Sequence, residues 1–125
     1  MRWFLLVLVA VLLLAPAARA QEETVSVGIG RFVEFVDEDT VEASVTVTCT
    51  SGAQVLEAFA YVVQKDHNSD FGFFNPICDG SPHTFLVTIH AAEGGAFRRG
   101  RARVSAFVLL ASGASATPSR QVVIR

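Results

Sequence analysis

Few residues in this chain are of a type and spacing that could do chemistry. Asp66-x-Asn68-x-Asp70 sets three oxygen-bearing side chains at alternate positions, which is the opening half of a calcium loop. The sixth position of such a loop needs a glycine for its sharp turn and the twelfth a bidentate glutamate; here they are Phe71 and Ile77. The run therefore reads as a solvated polar loop, and Asp37-Glu38-Asp39 as a turn before it is a ligand set. The three histidines, His67, His83 and His90, build no metal spacing. The last two lie seven apart in one extended segment, on opposite faces. No G-x-S-x-G elbow is present to make a serine nucleophilic. Cys49 and Cys78, the only cysteines, form no C-x-x-C for redox or zinc work. Carboxylates brought together from different strands are the one remaining route to catalysis. The expectation is a non-catalytic protein without catalytic residues, metal or cofactor.

Two other features point to recognition. Phe71-Gly72-Phe73-Phe74 places three phenylalanines in four residues beside a polar stretch. They are expected to fold back and plug the end of the core, tied there by Cys78; the rival reading is an exposed contact patch. Arg99, Arg101 and Arg103 alternate along an extended run, so they should share a solvent face while Ala102 and Val104 turn inward. Arg98 sits at the loop just before them. Residues 98–125 hold six arginines and no acid, whereas residues 21–60 hold Arg31 against eight acids. The arginine strip is expected to pair across the sheet with those acids. Unpaired, it would recruit an anionic partner such as a cell-wall polymer or acidic glycan.

The frame that positions these side chains centres on Thr40 to Cys49. Val41, Ala43, Val45, Val47 and Cys49 alternate with Glu42, Ser44, Thr46 and Thr48, the pattern of a half-buried strand. Other runs with strand character are Thr24 to Ile29, Arg31 to Val36, His83 to His90, Arg101 to Leu110 and Gln121 to Ile124. Ala53 to Lys65 is ambiguous: Ala, Leu, Glu and Gln favour helix, while its Tyr-Val-Val end and its neighbours favour strand, and strand is preferred. As a strand it puts Leu56, Ala58, Ala60 and Val62 on one face. Asp66 to Pro76 and Ala91 to Gly100 read as loops.

Met1 to Ala20 has the form of a secretory signal peptide: Arg2, an unbroken apolar run from Trp3 to Leu14, and Ala18-Arg19-Ala20 as the small-x-small cleavage site. A membrane span needs about 17–25 apolar residues, more than this run supplies. The remaining residues, 21–125, suffice for one domain with one core. Without Arg2 and Arg19 they carry four more acidic than basic residues, which argues against nucleic acid as an overall partner. In an exported chain a single pair of cysteines is expected to form a disulfide, Cys49 to Cys78.

The order V-T-C-T (Val47 to Thr50), then C-D-G (Cys78 to Gly80), then F-R-R-G-R-A-R-V-S-A (Phe97 to Ala106) resembles small exported bacterial immunoglobulin-like domains. That resemblance implies fold and export, not activity: an all-β, immunoglobulin-like antiparallel β-sandwich of about seven short strands with one disulfide. The chain departs from antibody domains in lacking a core tryptophan, the only Trp being Trp3. Its second cysteine also precedes the Phe85 strand, so the bond should not join the central strands of the two sheets. The function expected is a secreted binding or interaction module, its partner a protein or anionic polymer outside the cell. A small exported inhibitor, or a carrier of hydrophobic ligands in a cleft lined by Phe59, Tyr61 and Phe107, is the alternative.

Overall fold

Alternation of β-branched and polar residues makes the central strand one-sided, and the rest of the chain closes over its apolar side. The structure, a computed structural model, describes residues 22–65 and 67–125. The expected leader, Met1 to Ala20, and Asp66 of the calcium half-motif lie outside the described residues. The strands are β1 (Val25–Ile29), β2 (Phe32–Asp37), β3 (Thr40–Cys49), β4 (Val55–Gln64), β5 (His67–Asn68), β6 (Gly72–Phe73), β7 (His83–His90), β8 (Gly100–Leu110), β9 (Ser115–Ala116) and β10 (Ser119–Ile124). Seven of them are five residues or longer, and no helix occurs among the described residues.

The first layer is built on β3, whose Val41, Ala43, Val45, Val47 and Cys49 are all buried. β7 runs antiparallel along one edge of β3, with Val45 opposite Phe85, and β1 along the other, with Val27 opposite Val47. The second layer is β10-β8-β4, all antiparallel. Inward Ala58, Ala60 and Val62 of β4 and Ala102, Val104, Ala106, Val108 and Leu110 of β8 complete the core. Burying one such valine or leucine side chain is worth about 1.5–3 kcal/mol. β2 belongs to both layers. Its Phe32 and Val33 run parallel to Val123 and Ile124 of β10, and Glu34 to Asp37 then cross to pair antiparallel with β3. This is the one departure from antiparallel pairing.

The ambiguous segment is a strand. Eight residues of β4, from Val55 to Val63, pair with β8, and these tertiary hydrogen bonds outweigh a local helix preference of a few tenths of a kcal/mol per residue, on the order of 0.5. The inward set differs from the expectation at one position. A register shift between Val55 and Glu57 turns Val55 toward the core and leaves Leu56 57% exposed, as a bulge reverses the face of the residues beyond it. The expected loop Asp66 to Pro76 is also more ordered than its polarity suggested. β5 and β6 both pair with the free edge of β4, and the Val62 backbone N–H donates to Ser69 Oγ at 2.7 Å.

Cys49 and Cys78 form the disulfide, Cα to Cα 4.7 Å. It ties the end of β3 to the turn ahead of β7, so it lies at the rim of the first layer and not between central strands. Gly80 N–H donates to Cys49 O and Gly52 N–H to Cys78 O, at 2.9 and 3.1 Å, closing the same corner.

Candidate binding surface

No polar or charged side chain is buried among the described residues, so chemistry has to be sought on the outer faces. The outer face of the second layer carries the residues that point there. Because Ala58, Ala60, Ala106 and Val108 face inward, their neighbours Phe59, Tyr61 and Phe107 face out. Phe59 stands directly opposite Phe107 on β8 and opposite Phe73 on β6. Its ring centroid is 4.5 Å from that of Phe71, 5.4 Å from Phe107 and 6.0 Å from Phe73; Tyr61 lies 5.7 Å from Phe71. These are the offset and edge-to-face separations aromatic rings prefer.

The expected plug does not form as a unit. Phe71 and Phe73 are 55% and 71% exposed; only Phe74 turns inward, half-buried against the core with its ring 5.8 Å from Phe85. The cause is the pleat. Gly72 faces β7 so closely that any side chain there would meet the Thr88 carbonyl, and the residues on either side must then face out. The period-two placement of Phe71 and Phe73 around a glycine was the available signal. Phe59, Tyr61 and Phe107, which were to line a carrier's cleft, form no cleft between the layers and sit beneath Phe71 and Phe73 on the outside.

Toward the other end of β8 the same face becomes cationic. Arg101 and Arg103 are exposed, with Val123 and Gln121 opposite them on β10 and Val63 opposite Arg103 on β4. Together with Arg31 and Lys65 they line an open concavity of about 600 Å³. Arg103 Nη1 donates to Ser119 Oγ at 3.3 Å. Gln64 anchors the preceding loop: its Nε2 donates to Arg98 O at 2.7 Å, and its Oε1 accepts from Arg98 N–H at 2.9 Å. Arg99 does not continue the strip. Gly100, with φ +132°, breaks the alternation at the start of β8, and the Arg99 guanidinium lies 4.5 Å over the Phe35 ring of β2. Arg31 and Lys65, not anticipated from sequence, take its place.

The expected cross-sheet pairing with acids is also not formed. Among the described residues no arginine or lysine lies within 4.0 Å of a carboxylate, the ion pairs being His83–Asp79 at 2.7 Å and His90–Asp39 at 3.4 Å. Glu34, Glu42 and Asp37 to Asp39 are held on the first layer instead. Glu34 stands opposite Glu42 across β2 and β3, and Asp37 to Asp39 turn the hairpin, with Asp39 N–H donating to Asp37 Oδ1. His83 and His90 belong to separate pairs and His67 to β5, so the histidines do not converge. No group of three or more metal-ligating side chains is gathered among the described residues. The carboxyl of Asp79 is held below its usual value near 3.8, first by the Ser81 N–H at 2.9 Å and then by His83 Nε2.

No helix among the described residues is long and apolar enough to cross a membrane. No family model matches the chain, and no curated protein does. Among solved structures the sporulation control protein Spo0M from Bacillus subtilis is similar at 13% identity with a TM-score of 0.46, over 85% of this chain and 50% of that one. The chain thus spans about half the length of that structure.

Proposed function

We propose that the chain is an exported, non-catalytic binding module of immunoglobulin-like form whose contact surface is the outer face of β4, β6 and β8. The observation that carries this is the cluster of Phe59, Tyr61, Phe71, Phe73 and Phe107, five rings in mutual contact on the outside of the sheet. Large aromatic side chains left together in water favour a partner that covers them. The strand order β1-β3-β7 against β10-β8-β4, with β2 shared, supports the immunoglobulin-like reading. The signal-like first twenty residues and the disulfide support export.

The test uses immobilised residues 21–125 exposed to culture medium and a cell-surface fraction, wild type against F71S/F73S. Material retained by the wild type and lost by the variant, at unchanged melting temperature, is expected. Equal retention by both would remove the aromatic face from the binding surface.

A further inference from the structure

The aromatic cluster does not account for the concavity beside it. Arg31 arrives from the link between β1 and β2, Lys65 from the end of β4, and Arg101 and Arg103 from β8. Alternate residues on a strand lie about 7 Å apart. Two like charges at that separation repel by about 0.6 kcal/mol even in water. Arg31 and Lys65 add their charge to the same lining, and among the described residues no carboxylate stands within 4.0 Å of these four cations to offset it. The Phe32 ring, 5.5 Å from the Arg31 guanidinium, steadies that side chain without neutralising it. A bound anion would relieve the repulsion.

We propose that this concavity is an anion-binding site and that its ligand is an acidic polysaccharide, a polymer of sugars bearing carboxylates. The proposal rests on the reading of this outer face as the contact surface, but on different residues. The lining argues for a polymer over a small ion: all four cations are exposed, and one exposed ion pair is worth only about 0–1 kcal/mol. A useful affinity therefore needs several contacts made by one molecule. The neighbours argue for a sugar polymer. Ser105 and Tyr61 stand opposite one another, and Phe59 opposite Phe107 one step further on. A chain seated on the arginines therefore runs onto hydroxyls and then flat rings, which suit the apolar face of a pyranose. The planar guanidinium forks of Arg101 and Arg103 match carboxylates bidentately. Single-stranded nucleic acid also stacks on aromatic rings and also carries anions, so oligo-dT is the rival against which the assignment is tested.

The probe is polygalacturonate, with neutral dextran, oligo-dT and phosphatidylglycerol vesicles as comparisons, read by calorimetry at low salt. Wild type is expected to bind polygalacturonate and not dextran. R101Q/R103Q is expected to bind it about tenfold or more weakly, at unchanged melting temperature. Raising salt from about 0.05 M to about 0.5 M should weaken the wild type steeply. No binding at low salt, equal binding by wild type and R101Q/R103Q, or tighter binding of oligo-dT or vesicles would overturn the assignment. If F71S/F73S loses its natural partner while R101Q/R103Q keeps it, the contact surface stands and the polysaccharide site falls.

Discussion

Gly72 and Thr88 approach so closely that a Cβ at position 72 would lie 2.5 Å from the Thr88 carbonyl oxygen, and 2.9 Å from Cγ1 of Ile89. That contact seats β6 on β7 and turns Phe71 and Phe73 to the outside. The carbonyl belongs to a strand paired with β3 along its length and has little freedom to yield.

Gly72→Ala is therefore expected to cost about 1–3 kcal/mol, the usual penalty for forcing volume into a packed site. It should also weaken binding at the aromatic face, because β6 must move. Urea unfolding checks the first effect. A stability loss no larger than that of Phe73→Ser, at an exposed position, would show that the segment yields freely.

The disulfide should matter to stability more than to fold choice. Cys49 and Cys78 are 29 residues apart, and closing a loop of about that length stabilises by about 3–4 kcal/mol in the chain-entropy model. The first-layer pairing does not depend on it, since β1 and β7 bond β3 along most of its length. The variant C49A/C78A is expected to keep its far-ultraviolet circular dichroism and lose about 3–4 kcal/mol in denaturant unfolding. Loss of the β spectrum at room temperature would make the bond a condition of folding.

Asp79 gives the corner before β7 a pH dependence of definite sign. Its folded pKa is depressed by the Ser81 N–H and by His83, so the unfolded chain takes up a proton at higher pH than the folded one. The stability it contributes is present above its ordinary value near 3.8 and is lost as pH falls through the lower folded value. Asp79→Asn, which keeps an acceptor for Ser81 but no charge, should flatten the stability profile below about pH 4 and leave its shape above pH 5 unchanged. An identical acid limb in wild type and variant would place the pH dependence elsewhere.

How far the sequence could be read depended on how each residue's environment differs between faces. β3 and β8 each have one face in the core and one in water, so alternation declared both them and their inward residues. β4 was ambiguous because it is apolar on both sides: Ala58, Ala60 and Val62 pack inward while Phe59, Tyr61 and Val63 form the outer face. A strand with two apolar faces has no period-two signature. The aromatic outer face is thus the very feature that hid the strand. β5 and β6, two residues each, exist only because β4 offers a free edge, and no local pattern announces that. Arg101 and Arg103 were legible as outward residues of a strand. Their companions Arg31 and Lys65 were not, because β2's crossing from layer to layer brings Arg31 there from the far end of the chain.

Tyr61 should report directly on ligand binding in residues 21–125. The chain contains one Trp, Trp3, and one Tyr, Tyr61, so cleavage after Ala20 leaves Tyr61 as its sole strong near-ultraviolet chromophore. That residue stands opposite Ser105, next to the Arg103–Val63 pair at the mouth of the basic concavity, and 5.7 Å from Phe71. A sugar chain spanning the arginines and the rings has to cover it, which changes the polarity around the phenol and its exposure to quencher. Protein recovered outside the cell is expected to begin at Gln21, to show tyrosine emission without a tryptophan component, and to lose acrylamide quenching as polygalacturonate is added. R101Q/R103Q should need about tenfold more polymer for the same protection. An intact mass that retains Trp3 would refute cleavage, and quenching of Tyr61 unaffected by saturating polymer would put the ligand off this face.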